Sequence, residues 1–195
     1  MLERLRLKAN ARRIINADMP AILEAEPPRQ CVPRPPGTVS HPIPSFVAGK
    51  GLVFGSAGSQ QKVLLALRPG VQEAAARVAW RYNKGTAYVV SPIFYGDYLY
   101  ILSDTGIMTC LDPATGAVVY EGGRVPVPAT FRSSPVAFGD QILLTSEDGD
   151  TFVIKAGPKH EVLATNSIDE PVWASLALAH GMVFVRGERH VFGIK

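Results

Sequence analysis

Three carboxylates fall within the four residues Glu147-Asp148-Gly149-Asp150, a spacing that suits a hard cation such as Ca²⁺, which binds several oxygens at once. So short a loop cannot by itself supply the roughly six ligands such an ion takes, and the run reads better as a tight hairpin with solvated acids. The histidines, His41, His160, His180 and His190, show no metal-ligand spacing and read as surface or turn residues. Cys31 and Cys110 have no motif to support a disulfide, and Cys110, next to Leu111, reads as a small core residue. The chain contains no Gly-x-Ser-x-Gly elbow, no phosphate-binding loop and no carboxylate pair with an evident partner, so the sequence nominates no catalytic residue and no metal ligand.

The elements that would carry these side chains are set by a repeated phrase: Pro44-Ser-Phe-Val-Ala-Gly49, Ser91-Pro-Ile-Phe-Tyr-Gly96, Ser134-Pro-Val-Ala-Phe-Gly139 and Ser175-Leu-Ala-Leu-Ala-His180. Its period of about 40 to 50 residues, filled with short strands, marks a β-propeller blade. The second copy reads as strands at 89–95, 98–103, 107–111 and 117–121, and the third at 133–138, 141–146, 151–156 and 161–166. Gly96-Asp97, Ser103 to Gly106 and Asp112 to Gly116 separate the runs of the second copy as turns, so the sheet is expected to be antiparallel. The first copy is looser, with outer strands at 63–67 and 76–82; the fourth has 182–186 and 190–194 and stops before an outermost strand. The expected fold is all-β: about three and a half four-stranded antiparallel blades spanning roughly 41–85, 86–127, 128–169 and 170–195. Near-continuous apolar runs fit strands covered on both faces.

If the first strand of each blade lines a central channel, the residues just before each repeated Ser-Pro sit at one mouth of it. These include His41, Tyr88, Phe131, Arg132 and Trp173, which differ from copy to copy as a binding surface requires. Arg132 offers a planar donor fork and Trp173 a broad flat face, suited to an anionic or ring-shaped ligand or to a peptide.

The phrase Cys110-Leu-Asp112-Pro-Ala-Thr115-Gly116-Ala-Val-Val-Tyr120 resembles the Ala-x-Asp-x-x-Thr-Gly-x-x-x-Trp phrase of the pyrroloquinoline-quinone-like (PQQ-like) propeller repeat, with Cys110 in place of Ala and Tyr120 in place of Trp. The resemblance implies that Asp112 and Thr115-Gly116 shape a turn between third and fourth strands. It also implies that Tyr120, and Trp80 in the first copy, dock between neighbouring blades. Quinone-dependent dehydrogenases of this type add a vicinal Cys pair and a Ca²⁺-binding acid set, which have no counterpart here. The chain is more similar to the non-enzymatic bacterial envelope propellers, which implies a binding or scaffold function with no cofactor. Under the alternative, a dehydrogenase fragment, the cofactor would be PQQ with Ca²⁺; a truncated propeller without independent activity is the third reading. The resemblance also implies a periplasmic or envelope location, although the N-terminus shows no signal-peptide pattern.

The net charge of +3 is concentrated in the first 34 residues, and the blade region is neutral, which argues against nucleic-acid binding. Residues 1–40 form a basic, Pro-rich segment and linker, expected to be short-helical or disordered, and no run approaches the roughly 18 apolar residues of a membrane span. An incomplete ring exposes two blade faces; the expected explanation is that the sequence is the C-terminal part of a longer propeller. The alternative is a homodimer in which two copies of about three and a half blades close a ring of about seven, and the ligand, protein or small molecule, is unidentified.

Overall fold

The computed structural model describes residues 43–57, 62–71 and 73–195. Blade 1 comprises β1 (Val47–Gly49), β2 (Leu52–Ala57), β3 (Val63–Leu67), the single helical turn α1 (Ala74–Arg77) and β4 (Val78–Tyr82). Blade 2 holds β5 (Ile93–Tyr95), β6 (Tyr98–Leu102), β7 (Ile107–Leu111) and β8 (Val118–Arg124); blade 3 holds β9 (Val136–Phe138), β10 (Gln141–Thr145), β11 (Asp150–Lys155) and β12 (Val162–Ser167). Blade 4 has β13 (Ala177–Ala179), β14 (Met182–Arg186) and β15 (Val191–Ile194). Each sheet runs in sequence order with antiparallel neighbours, three sheets with four strands and the last with three. The chain is therefore an all-β partial propeller, its last blade lacking an outermost strand among the described residues.

Strand limits differ from the sequence expectation at the innermost strands, in blade 1 and at β8, which runs on to Arg124 instead of ending at 121. The innermost strands begin at Ile93 and Val136 rather than at 89 and 133. Pro92 and Pro135 have no N–H for a ladder, and the preceding serine amides bond to another blade. In blade 1, Ala74 to Arg77 is helical instead of opening a strand at 76: this Ala-rich turn is closed by Arg77 N–H donating to Glu73 O at 3.0 Å. The Arg68 guanidinium holds it against the sheet by donating to Ala76 O and Val78 O.

Alternation along each middle strand builds the core between blades. In β6, Leu99 and Ile101 face blade 1 with Phe54, Leu64 and Leu111, while Tyr100 and Leu102 face blade 3 with Ile142 and Phe152. In β10, Leu143 turns the other way, joining Val172 and Val185 against blade 4. Three blade-to-blade clusters thus replace one central core, and strands apolar on both faces follow from having a neighbour on each side. Cys110 is a fully buried free thiol in the blade 2–3 cluster, and burial pushes it up to about 12, so it is an inert core residue.

The repeated serine links the blades. Ser45 N–H donates to Ser91 Oγ at 2.9 Å, Ser91 N–H to Ser134 Oγ at 3.0 Å, and Ser134 N–H to Ser175 Oγ at 2.8 Å. Each repeat therefore takes its amide partner from the next blade. This staircase corrects the register of the first copy: the residue equivalent to Ser91 is Ser45, one position later than a match beginning at Pro44. The hairpin turns agree, because Lys50 (φ 50°) and His180 (φ 52°) stand in the left-handed position of Gly96 (59°) and Gly139 (58°).

Candidate functional site: the loop face around Glu147

The loop face is assembled from the turns between second and third strands and from the segments that enter each innermost strand. In blades 2 and 3 these turns are built alike. Ser103 Oγ accepts from Ile107 N–H at 2.9 Å, and Ser146 Oγ accepts from Asp150 N–H at 3.1 Å. The run Glu147 to Asp150 is thus a tight hairpin, with Asp148 exposed and Glu147 turned to a partner. Gly149 (φ 88°) closes it in contact with the next blade: a Cβ there would lie 2.1 Å from Glu170 O.

These turns hold the entering segments. Tyr88 N–H donates to Asp104 Oδ1 at 3.0 Å, Phe131 N–H to Asp104 O at 3.0 Å, and Val172 N–H to Glu147 O at 3.0 Å. Arg132 Nε donates to Glu147 Oε1 at 2.7 Å, while Lys62 pairs with Asp104 at 3.0 Å. Glu147 therefore stands between Arg132, held by its side chain, and Trp173, placed by its backbone through Val172. Trp173 is 55% exposed and the Arg132 side chain 60% exposed, so both present surface on the loop face.

The other nominated residues fare differently. Tyr88 is half-buried in the same row. Phe131 is 2% exposed, packed 6.1 Å from the Phe152 ring, because its position in the entering segment points into the blade 2–3 cluster; it offers no surface to a ligand. His41 lies outside the described residues. Beside the row, a depression of about 610 Å³ is walled by Arg124, Pro126, Val127, Pro128, Thr130 and Asp148. Nothing in the repeat pattern marked it, although Pro126-Val127-Pro128, with Val127 exposed, is a turn-poor apolar stretch outside any strand.

Blade 4 replaces the serine of its turn by Gly187, and a carboxylate takes over the serine's task. Glu170, 5% exposed, accepts from Arg189 N–H at 3.0 Å and His190 N–H at 3.2 Å and is bound by the His190 ring through Nδ1. A Cβ at position 187 would lie 2.5 Å from Glu170 Oε2, so the serine had to go for the carboxylate to enter. The His190 hydrogen bond, followed by the backbone amides, holds the Glu170 carboxyl below its ordinary value of 4.5.

The turns between third and fourth strands carry the inter-blade aromatics. Asp112 Oδ1 accepts from Ala114 N–H at 3.0 Å and from Thr115 N–H and Thr115 Oγ–H, each at 2.8 Å. The Thr115 contacts hold this carboxyl below its usual value. On the turn so formed rests Trp80 of blade 1: its Nε1–H donates to Pro113 O at 3.0 Å, and its ring fills the space a Cβ of Gly116 would need. Tyr120 of blade 2 meets blade 3 by ring packing instead, 5.8 Å from the His160 ring.

No family model matches the sequence, and neither does any curated protein. Solved structures do match in fold. The computationally designed Ika4 protein superposes with a TM-score of 0.63 at 10% identity over 82% of this chain and 95% of its own. The designed Ika8 protein gives 0.58 at 12% identity over 76% of this chain but 45% of its own. A europium-containing methanol dehydrogenase gives 0.50 at 12% identity, with 62% of this chain on 23% of that one. The chain is a partial β-propeller. It spans less than half of Ika8 and less than a quarter of the dehydrogenase.

The described residues do not fit a Ca²⁺-bound quinone. Glu147 and Glu170 are engaged by Arg132 and His190, Asp104 by Lys62 and the Tyr88 amide, and no three His, Cys, Asp or Glu side chains converge among the described residues. Cys110, buried between blades, has no neighbouring cysteine to form a vicinal pair.

Proposed function

We propose that this protein is a non-catalytic binding or scaffold propeller of the PQQ-like type, which uses its loop face to hold a peptide segment of a partner protein. The observation that carries this reading is the exposed pair Arg132 and Trp173, the first bonded to the Glu147 carboxylate and the second next to Val172, whose amide donates to Glu147 O. Held at Nε by Glu147, Arg132 leaves its terminal guanidinium N–H groups to present to a carboxylate. Trp173 supplies a flat apolar face to the same ligand. The neighbouring depression between blades 2 and 3 gives an extended peptide a place to continue. The engaged carboxylates and the buried thiol favour this reading over a quinone-dependent dehydrogenase.

The test is a fluorescence titration with short peptides that carry an acidic residue next to an aromatic one. Trp80 is half-buried and bonded to Pro113, so the exposed Trp173 reports at the red edge of the emission. Saturable quenching that disappears in Trp173→Ala and weakens about tenfold in Arg132→Ala supports the proposal. Dye reduction with turnover after addition of PQQ and Ca²⁺ would overturn it.

A further inference from the structure

The serine staircase has two open ends of opposite kind. Among the described residues, no partner donates to Ser45 Oγ, and the Ser175 N–H makes no hydrogen bond; the three pairs between them use the same two atoms at 2.8 to 3.0 Å. Both terminal serines are exposed, whereas Ser91 and Ser134 are half-buried between blades. The donor at the blade 4 end and the acceptor at the blade 1 end are thus the two halves of the bond already made at each internal seam.

The sheet faces at these ends match in the same sense. By strand register, Phe184 (opposite Ala177) holds the position of Phe54 (opposite Val47) and Tyr100 (opposite Ile93), which turn toward the following blade. Phe54 and Tyr100 are fully buried by that neighbour; Phe184 is only half-buried. At the other end Val53, opposite Ala48, holds the position of Leu99 and Ile142, which turn toward the preceding blade. Leu99 and Ile142 are completely buried, and Val53 is not. The innermost strand β13 is exposed along its whole length, whereas β5, which has a blade on each side, is half-buried throughout.

We infer that a second copy of this chain covers both ends, blade 4 of each copy docking on blade 1 of the other, with Ser175 N–H donating to Ser45 Oγ of the partner. Both seams form at once in such a two-fold arrangement, so the ring closes with no end left over, and four blades from each copy make eight. An eight-blade count replaces the seven that follows from three and a half blades per chain. The coverage figures agree: what spans nearly all of Ika4 spans just under half of Ika8. The Arg132–Glu147 pair of the loop-face site belongs to blade 3 and lies outside the seam.

The experiment is light scattering and sedimentation equilibrium on the full 195-residue chain, with circular dichroism on every variant. The expected mass is twice 21.0 kDa. Ser45→Ala leaves the intrachain bond from Ser45 N–H to Ser91 Oγ intact while removing the acceptor from both seams; a loss of about fivefold at each raises the dimer Kd by about 25-fold. Phe184→Asp is expected to give a folded monomer; should it fail to fold, Ser45→Ala alone decides. A monomeric wild type would overturn the inference, since it means that the chain covers its own ends. Open-ended oligomers would overturn it too, as would a dimer indifferent to Ser45→Ala.

Discussion

Blade 2 and blade 4 share their three inner strands, the first two paired in the same register, but among the described residues blade 2 has a neighbour on each face and blade 4 on one. The burial of their inner strands and the state of their serine bonds follow from that. In blade 2 both sides of β6 are apolar and buried, each serine bond is made, and the turn between second and third strands is closed by its own Ser103. In blade 4, β13 is exposed, the Ser175 amide is unbonded among the described residues, and the turn depends on Glu170 reaching in from the entering segment. Burial here belongs to the seam between repeats more than to the repeat itself, as in other quasi-one-dimensional assemblies.

The sharpest way to break this comparison is at two equivalent phenylalanines. Phe54→Ala opens a cavity between Phe94 and Trp80 in a sealed seam and should cost about 3–5 kcal/mol in chemical denaturation. Phe184→Ala, at the same position on an open face, should cost the isolated chain about 1 kcal/mol or less. Equal losses in the monomer would mean that the blade 4 end is already covered by its own chain.

A glycine pair gives the next contrast. Gly149→Ala forces a Cβ into Glu170 O in the blade 3–4 seam as well as a left-handed φ, and is expected to lower stability by more than about 2 kcal/mol. Gly181→Ala carries only the left-handed strain, since no atom lies within 4 Å, and should cost about 1 kcal/mol. Thermal melts of the two variants decide between a seam contact and turn strain alone.

Ser134→Ala removes the acceptor of the Ser91 amide and should cost about 1 kcal/mol, whereas Ser45→Ala should leave the monomer's stability unchanged within a few tenths. The smallest effect is local. The Glu170 carboxyl is held below 4.5, so its contribution is fully present above that value and is lost as pH falls through the depressed folded value. Amide exchange in the β14–β15 hairpin should therefore quicken in acid before that of β10–β11, whose turn is closed by the Ser146 hydroxyl; Glu170→Gln should remove the difference.

The strands were legible because alternation and Gly-Asp or Asp-x-x-Thr-Gly turns are local, and the Asp112 hydrogen bonds, all within three residues, are their physical basis. The repeated serine was visible as a pattern but not as a device, since its partner is a serine more than 40 residues away. The same distance explains the one-residue slip at Pro44-Ser45: inverted relative to Ser91-Pro92, the pair matches by composition, and only the inter-blade bond fixes its register. Phe131 and Glu170 were misjudged or missed for a related reason. Whether an entering segment points a side chain to the mouth or into a seam depends on the neighbouring blade, which a single repeat does not encode.

The most direct measurement is hydrogen exchange at the Ser175 amide, with the Ser134 amide as the internal standard of a sealed seam. The account predicts that Ser175 is protected in the native protein and that its protection rises with protein concentration toward that of Ser134. Exchange at Ser175 as fast as at an exposed loop amide, at every concentration, would contradict it.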